Sequence, residues 1–491
     1  MRACLLAGLL LALACGGGKG GDPAQPDGGL GSGGGSSDGG SGSGSGEVLT
    51  PGGGDWAQYR HDPRGASENR GIFAASEAST LTPAWQTPLE LGPYFYTQPL
   101  ILDDLVIFTT AFSGKVVAAD RLSGALRWSR DLGMPVSTDC AGSKKVGFWG
   151  SAAVVGDVVY VAGPDGNATA LRRSDGSILW TAKIADGTAA GHGEFVQSSP
   201  AVSTALGKLY VGVASSAHCD IIGGRVVAVD LGTHAVTTKS LVPAGHRGAG
   251  VWSSITIAED ENRLYVTSGN RLGDIGQEPL AQSILALDPG TLDVLDHWQN
   301  PTTLENSDFG SSPTIFDAGG KKLVAATNKD GWLYVLRRDS LASGPAWKYQ
   351  LAVIDPALPD VGGDPTLGWG SISTPVSAGG RLFAAGGRTP QGETGSVIAF
   401  DPSTGQTLWK HVTPGYVIAP AAAAGEVLFV ESSAPDGTAG TLEVLEQSSG
   451  KVLKSVPGSV AIFGAPSVGH GFVVYGNALG HITALVAPKY R

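Results

Sequence analysis

Short apolar runs alternate with turns rich in Gly, Asp, Asn and Pro along the chain from Trp56 onward, and almost nothing there has helical periodicity. The runs are rich in Val, Leu, Tyr and Ala, and β-branched and aromatic residues are enriched in strands. Short strands separated by frequent turn residues are typical of an all-β chain. The pattern therefore predicts a body made almost entirely of short strands.

One unit recurs along this body. It begins on small residues, as in SAAVVGDVVYVAG, and closes on an aromatic residue, as in VVAADRLSGALRW, which ends at Trp128. The turn before the closing strand has the form Asp/Ser-x-x-Gly, in which Asp or Ser accepts backbone hydrogen bonds and Gly takes a positive φ. We expect the closing Trp to lie flat between neighbouring repeats, where it buries a large apolar face.

Eight such starts are present, but the first and last units are incomplete. The eighth start, from Ala465, has no closing strand, whereas TLTPAWQTPL near the N-terminus has a closing strand with Trp85 and no start. If the two half-units complete one blade, the ring closes and no sheet edge stays exposed. The sequence therefore predicts an eight-bladed β-propeller of four-stranded antiparallel blades, closed by its N- and C-terminal half-units.

The N-terminus has the pattern of a processing signal. Arg2 precedes an apolar run that is too short to span a bilayer, and a small-residue site ending in Cys15 follows. This resembles a bacterial lipoprotein signal peptide over residues 1–15, with Cys15 as the lipid-bearing residue; an ordinary secretory signal is the alternative. Residues 16–54 are almost wholly Gly, Ser, Asp and Pro and predict a disordered tether, which leaves 55–491 for the propeller.

These features predict an exported protein of the bacterial cell envelope, held to a membrane by its lipid, with the outer membrane as the expected location. After Cys4 and Cys15 are assigned to the signal, Cys140 and Cys219 remain. In an oxidising compartment such a pair predicts a disulfide, and two free buried thiols are the alternative.

Charge and motifs exclude several classes of function. Only 16% of the residues are charged and the net charge is −11, which argues against nucleic acid as a partner because phosphate binding needs clustered Lys and Arg. The sequence has no CxxCH motif for covalent haem and no phosphate-binding Gly loop between a strand and a helix.

The repeats resemble the tryptophan-docking repeats of the pyrroloquinoline quinone (PQQ) propeller superfamily over nearly all of Trp56 to Ala487. The segment DWAQYRHDPRGASENRG resembles the N-terminal segment of that family. DFGSSP together with NKDG is similar to its polyvinyl-alcohol-dehydrogenase-like branch, among the quinoprotein alcohol dehydrogenases. The non-catalytic lipoprotein propellers of the outer-membrane barrel-assembly machinery share the repeats, so the fold alone does not decide the function.

The resemblance implies a quinone site. GAGVW matches the Trp that forms the floor under the quinone at Trp252, and TSGN matches the calcium-ligating Asn at Asn270. WQNPTTLENSDFG offers Asp308 as catalytic base, and NKDG offers Lys329 as the cation at the quinone oxygens. GGDPTLGWGS adds Trp369 as a further cofactor contact. Purely structural roles are the alternative: packing for each Trp, a turn for the Asn, and exposed loop charges for the Asp and Lys.

The implied chemistry suits these residue types. An Asn amide is a hard oxygen ligand of the kind Ca²⁺ prefers, and the ion would polarise a quinone carbonyl. A carboxylate can take the alcohol proton while hydride moves to the quinone. A Lys stabilises the charge that develops on reduction.

Two positions depart from the family pattern. In SSAHCDIIGGRVVAVD, Cys219 falls where the resemblance leads us to expect a calcium-ligating Glu, and VSTDCAGSK has the single Cys140 where the family often has adjacent cysteines. Both cysteines thus map to the mouth of the cofactor site.

Two hypotheses stay open. The first is a lipid-anchored, quinoprotein-like dehydrogenase that oxidises an alcohol with PQQ and Ca²⁺ and passes electrons to a separate cytochrome. The second is a non-catalytic binding or assembly scaffold that pairs with an envelope protein.

Overall fold

The computed structural model describes residues 54–87, 97–139, 142–187, 193–215, 221–272, 277–302, 304–434, 439–458, 463–477 and 480–491. These residues belong to one compact unit, Leu49–Arg491. The predicted signal peptide with Cys15, nearly all of the predicted tether, and both Cys140 and Cys219 lie outside the described residues. The predictions made for them, the disulfide included, therefore stay predictions. Within the described ranges, no helix is long and apolar enough to cross a membrane.

Eight four-stranded antiparallel blades confirm the predicted propeller. Blades 1 to 7 run in chain order from an inner to an outer strand, and blade 8 takes its outer strand from Thr82–Gln86. Short Gly turns suit this arrangement, because antiparallel neighbours need only tight connections. Blade 1 comprises Leu100–Ile101, Leu105–Thr109, Lys115–Asp120 and Leu126–Asp131; blade 2, Ala153–Val155, Val158–Ala162, Asn167–Arg172 and Ile178–Lys183; blade 3, Ala201–Ser203, Lys208–Ser215, Arg225–Asp230 and Val236–Ser240, with Glu194–Phe195 added; blade 4, Thr256–Ala258, Arg263–Thr267, Ser283–Leu287 and Val294–Gln299.

The second half of the ring follows the same plan, with short elements between its blades. Blade 5 comprises Thr314–Ala318, Lys321–Thr327, Trp332–Arg337 and Pro345–Gln350; blade 6, Val376–Ala378, Arg381–Gly386, Gly395–Phe400 and Thr407–Thr413; blade 7, Ala422–Ala424, Val427–Ser433, Gly440–Glu446 and Val452–Pro457; blade 8, Ser467–Gly469, Phe472–Gly476, Ile482–Val486 and Thr82–Gln86. The remaining elements are strands Glu68–Asn69, Val136–Asp139 and Gly142–Lys145, α-helix Ala75–Ala78, and 3₁₀ helices Glu259–Glu261, Leu341–Ser343, Pro365–Leu367 and Pro488–Tyr490.

The two half-units complete one blade, as the sequence predicts. Thr82–Gln86 pairs antiparallel with Ile482–Val486, with Thr82 opposite Val486. The N-terminal strand therefore supplies the outer strand that the C-terminal repeat lacks, and the ring closes.

The closing Trp residues lie against the next blade, which confirms their predicted docking role. The Trp128 indole is 8% exposed, its Nε1 donates to Arg173 O at 2.7 Å, and a Cβ on Gly176 would lie 2.5 Å from the ring. Gly is needed there for its φ of +67° and for the space. In blade 3, His234 takes the same left-handed position and stacks on Trp180 at 4.6 Å. Three other pairs follow the Gly pattern: Trp85 with Gly124, Trp347 with Gly405, and Trp409 with Gly450.

The small residues at the strand starts form a belt of hydroxyl groups around the channel. From blade 1 to blade 6, a backbone N–H of each blade donates to a hydroxyl of the next at 2.8–3.0 Å. Each bond satisfies a buried donor and joins two blades. The acceptors are Ser151, Ser199, Ser254, Ser312 and Thr374.

The N-terminal segment, residues 54–73, crosses the middle of the inner strands. Trp56 pairs with Ile101 of blade 1, and the side chain of Asn69 donates to Val468 O of blade 8 at 2.8 Å. Between these two points the segment forms hydrogen bonds with each of the six remaining blades. The segment therefore ties the inner strands of all eight blades together.

Glu431 on blade 7 departs from this pattern of satisfied polar groups. It lies in the second strand where other blades have Thr109, Thr267 and Thr327, which donate to the next blade. The Glu431 side chain is 2% exposed, and neither of its carboxyl oxygens has a hydrogen-bond partner. Burial therefore raises the pKa of Glu431 well above its usual value of 4.5.

We expect Glu431→Gln to reduce the loss of stability at high pH. The native state binds the Glu431 proton more tightly than the unfolded state, so this stabilisation is complete below the unfolded pKa. It is lost as pH rises toward the folded pKa, by about 1.4 kcal/mol per pH unit. Urea unfolding at about pH 5 and about pH 8 should show that the free energy of unfolding falls less with rising pH in the variant than in the wild type. Parallel pH dependences of the two proteins would contradict this assignment.

Candidate functional site

The five predicted site residues all lie at the end of the ring where the inner strands begin. Trp252, Asp308 and Trp369 precede the inner strands of blades 4, 5 and 6. Asn270 and Lys329 follow the second strands of blades 4 and 5, which run back to the same end. The alternation of strand direction thus brings distant parts of the sequence to one face.

The turn before Trp252 is held by unusual backbone. Gly248 has a φ of +98°, and the buried Ala249 has a φ of +54°. A positive φ is unfavourable for a residue with a Cβ atom, so contacts with the surrounding residues must hold Ala249 in this conformation. Those contacts are Ala249 N to Asn270 O at 2.7 Å and Gly269 N to Gly250 O at 2.8 Å. The turn therefore fixes Trp252 relative to the strand that ends at Asn270.

The Trp252 indole reaches from blade 4 across the neighbouring blade. A Cβ on Gly310 of blade 5 would lie 2.2 Å from its Cη2 atom, so only Gly leaves room for the ring. Beyond Gly310 the indole packs against an apolar cluster of Ile372, Ile418 and Tyr416 from blades 6 and 7. The indole is thus a flat apolar surface at the mouth of the channel.

Lys329 and Asp308 form an ion pair beside this surface. Lys329 Nζ lies 2.6 Å from Asp308 Oδ2 and 5.4 Å from the centroid of the Trp252 ring. Each of the two charged side chains is 11% exposed. A charge pair shielded from water in this way interacts more strongly than one on the surface.

Asn270 and Asn306 hold the pair in place. Asp308 Oδ1 accepts from Asn270 N at 2.6 Å, and Ser307 N donates to the amide oxygen of Asn270 at 2.9 Å. Asn306 Oδ1 accepts from Lys329 Nζ at 2.8 Å and from Asn270 Nδ2 at 3.1 Å. The cluster is a connected network that fixes the orientation of the carboxylate and the ammonium.

Trp369 lies one blade further round the mouth. A Cβ on the next residue, Gly370, would lie 2.2 Å from Lys329 O, so the loop packs closely on the Lys329 backbone. The Arg388 guanidinium carbon lies 4.9 Å from the centroid of the Trp369 ring. The structure thus brings four predicted residues into one cluster and places Trp369 beside it.

The cluster fits a flat quinone better than it fits a metal ion. Trp252 offers an apolar ring face and Lys329 a cation 5.4 Å from the centroid of that ring, and a planar cofactor with polar oxygens requires both. Calcium prefers six to eight oxygen ligands, whereas the positively charged Lys329 ammonium already lies against Asp308 Oδ2 and Asn306 Oδ1 and would repel a second cation. In the described ranges no group of three or more His, Cys, Asp or Glu side chains could hold a metal ion. Cys219, at the position expected for a calcium-ligating Glu, lies outside those ranges, and Asn270 as a calcium ligand stays a prediction.

Sequence reasoning missed Asn306, Gly310 and Arg388. Asn306 belongs to the stretch WQNPTTLENSDFG, and only its side-chain hydrogen bonds to Asn270, Lys329 and Gly363 distinguish it from its neighbours. Gly310 belongs to DFGSSP, where a Gly reads as an ordinary turn residue. No sequence signal indicates either role.

Comparison with known proteins agrees with this architecture. A family model described as outer membrane protein assembly factor BamB matches residues 66–265 and 329–487. Quinohemoprotein alcohol dehydrogenase ADH IIB of Pseudomonas putida is 26% identical over 309 residues, which are 54% of this chain and 43% of that protein. The chain therefore matches less than half the length of the curated relatives.

Two solved structures share the fold. A europium-containing methanol dehydrogenase has a TM-score of 0.69 and 15% identity, covering 88% of this chain and 98% of its own. The quinohemoprotein alcohol dehydrogenase of Comamonas testosteroni has a TM-score of 0.68 and 18% identity, covering 90% and 81%. With a family model that matches more than half of its residues, the chain belongs to the family described as outer membrane protein assembly factor BamB, within the PQQ-type β-propeller superfamily and close to its quinoprotein alcohol dehydrogenases.

Proposed function

We propose that this chain is a quinoprotein-type dehydrogenase that oxidises an alcohol with PQQ bound over Trp252. The observation that carries the proposal is the Lys329–Asp308 ion pair. Lys329 Nζ lies 2.6 Å from Asp308 Oδ2 and 5.4 Å from the centroid of the Trp252 ring. An ion pair that only stabilised the fold would not need the Trp252 ring beside it, nor the space that Gly310 leaves for that ring. Alcohol oxidation by a quinone needs a base, a cation near the quinone oxygens and a flat surface under the quinone, and Asp308, Lys329 and Trp252 could supply them.

The family match does not cover residues 266–328, the stretch that carries Asn270, Asn306 and Asp308. Strands of blades 4 and 5 continue through it, so the support for the assignment comes from the geometry of the cluster. The quinohemoprotein named among the relatives supports the same chemistry.

The residues have distinct parts in the proposed mechanism. When bound, PQQ supplies an acceptor for the two electrons that leave the alcohol as hydride. Asp308 accepts the alcohol proton on its carboxylate, which keeps free lone pairs beside its two hydrogen bonds. Lys329 offsets the negative charge that develops, and its bond to Asn306 holds the ammonium in position. The packing of Trp252 over Gly310 keeps water from the lower side of the site.

Export and electron transfer complete the proposal. The predicted lipid on Cys15 and the tether would hold the propeller at a membrane of the cell envelope, with the outer membrane as the expected location. Since the sequence has no covalent haem motif, a separate cytochrome would take the electrons from the reduced cofactor.

The proposal is tested by incubating the purified protein with PQQ, with and without Ca²⁺. We expect bound quinone absorbance after gel filtration and alcohol-dependent reduction of an artificial dye. The proposed function is wrong if the folded protein takes up no quinone under either condition. The arm without Ca²⁺ tests whether the metal is needed beside the Lys329 ammonium, which already lies against Asp308 and Asn306.

Gly310→Ala is expected to weaken PQQ uptake by about 5- to 150-fold. The new Cβ would lie 2.2 Å from the Trp252 ring, and overpacking of this kind typically costs about 1–3 kcal/mol. Fluorescence titration with PQQ measures the effect. Gly232→Ala, in a turn where a Cβ would meet only Asp230 Oδ1 at 3.6 Å, is the matched control. Equal affinity of the two variants would mean that the indole is not the floor.

The alternative is a scaffold without a cofactor, and the description of the matching family favours it. A scaffold would show no quinone uptake and would keep its partner binding in variants of Asp308 and Lys329. The uptake experiment therefore separates the two functions.

A further inference from the structure

Arg388 lies at the mouth of the channel on blade 6, next to the cluster of Lys329 and Asp308. Its backbone is tied to the Trp369 loop, because Arg388 N donates to Gly368 O at 2.8 Å. Val353 connects the same elements, since its N–H donates to Arg388 O and its carbonyl accepts from Gly370 N. Gly370 in turn packs on the carbonyl of Lys329. Arg388 is therefore held in a fixed place relative to the ion pair.

The guanidinium of Arg388 lies over the Trp369 ring, with its carbon 4.9 Å from the ring centroid, and no described residue accepts a hydrogen bond from it. In the part of the chain that the structure describes, no carboxylate pairs with Arg388, and its Nε is buried without a hydrogen-bond partner. A cation–π contact uses the face of the guanidinium and leaves the N–H donors at its edge unused. A desolvated donor without a partner costs free energy, so the unused edge indicates a place for a ligand.

The local charge indicates that this ligand is an anion. Among the described residues Lys329 is paired with the Asp308 carboxylate, whereas Arg388 has no carboxylate partner, in a chain whose net charge is −11. The planar guanidinium can donate two parallel hydrogen bonds to a carboxylate. A neutral alcohol has a single oxygen and cannot use both donors in this way.

We propose that Arg388 binds a carboxylate group at the mouth of the site, with Trp369 holding the guanidinium flat. Because the inference rests on the proposed function, two sources are possible for that group: a carboxylate of PQQ itself, or the carboxylate of a substrate that is a hydroxy acid. Arg388 would in either case be a binding residue that lies outside the proton transfer at Asp308.

The experiment compares charged and neutral probes in the wild type, Arg388→Gln and Arg388→Lys. Calorimetric titration with PQQ and with its trimethyl ester tests the cofactor as source. Values of kcat/KM for 5-hydroxypentanoate and 1-pentanol test the substrate as source. Arg381→Gln is the matched control, since Arg381 begins the strand Arg381–Gly386 that leads to Arg388 and donates to Gly379 O.

We expect Arg388→Gln to lower the preference for the charged probe by about tenfold to a hundredfold, in one of the two comparisons, while the neutral probe is unaffected. Arg388→Lys, which keeps the charge without the fork, should fall between. A preference that is unchanged in both comparisons overturns the inference.

Failure of the proposed function gives a different result. If the wild type binds neither PQQ nor its ester, titration with benzene-1,3,5-tricarboxylate decides. Binding that Arg388→Gln removes and Arg381→Gln preserves supports the carboxylate site without a quinone, and binding that does not depend on Arg388, or none at all, overturns it.

Discussion

Asp308→Asn is expected to lower kcat for a primary alcohol by about 10²–10⁴-fold in the PQQ-loaded protein, which is the usual contribution of a general base. The amide keeps an acceptor for Asn270 N, which lies 2.6 Å from Asp308 Oδ1, but it cannot take the alcohol proton. PQQ uptake should therefore change much less than kcat. Dye reduction and quinone absorbance, measured on the same sample, separate the two quantities.

The control for this variant is another aspartate that pairs with a lysine. Asp293 lies 2.8 Å from Lys239 on the surface of blades 3 and 4, and Asp293→Asn should leave kcat unchanged because an exposed pair contributes little. Since Asp308→Asn leaves the Lys329 ammonium without its partner, thermal unfolding should confirm that the protein is folded. Full turnover in a folded Asp308→Asn protein would remove Asp308 as the base.

Trp128→Ala is expected to lower the free energy of unfolding by about 3–5 kcal/mol, the usual cost of truncating a buried aromatic side chain. The indole is 8% exposed, packs on Gly176 of the next blade and donates to Arg173 O. The change removes both the packing between two blades and one satisfied donor. Urea unfolding followed by circular dichroism measures it.

Two comparisons identify the origin of that loss. Trp128→Phe keeps much of the apolar contact and loses the hydrogen bond, so it should cost clearly less than the Ala variant. Leu122→Ala, at a side chain that is 62% exposed, should have little effect. If Trp128→Ala unfolds at the same urea concentration as wild type, docking of the Trp does not hold the blades together.

The fold could be predicted almost completely, because a repeat states the same local rules many times. The position of Trp85 ahead of the first start already implied that the N-terminal strand closes the last blade, and its pairing with Ile482–Val486 confirms this. The exceptions are local. His234 replaces the expected Gly in blade 3 and has a positive φ, and the repeat pattern in the sequence does not indicate that a His takes this left-handed conformation.

The site could be predicted only where a resemblance pointed to residue types. Trp252, Asn270, Asp308 and Lys329 come together as the resemblance implies, although their catalytic and ligand roles stay predictions. Asn306 bridges Lys329 and Asn270, and Arg388 stacks on Trp369. These two contacts connect residues of different blades, which local sequence patterns do not relate.

The sequence by itself determined the strands, the turns, the number of blades and the closure of the ring, because each depends on residues close together in the chain or on the count of repeats. Tertiary structure alone decided that Asp308 is paired with Lys329, that Gly310 clears space for Trp252, and that Arg388 has no acceptor. The physical reason is that burial, distance and missing partners arise only when separate blades pack. A hydrogen bond formed or left unformed across the channel mouth is a property of that packing.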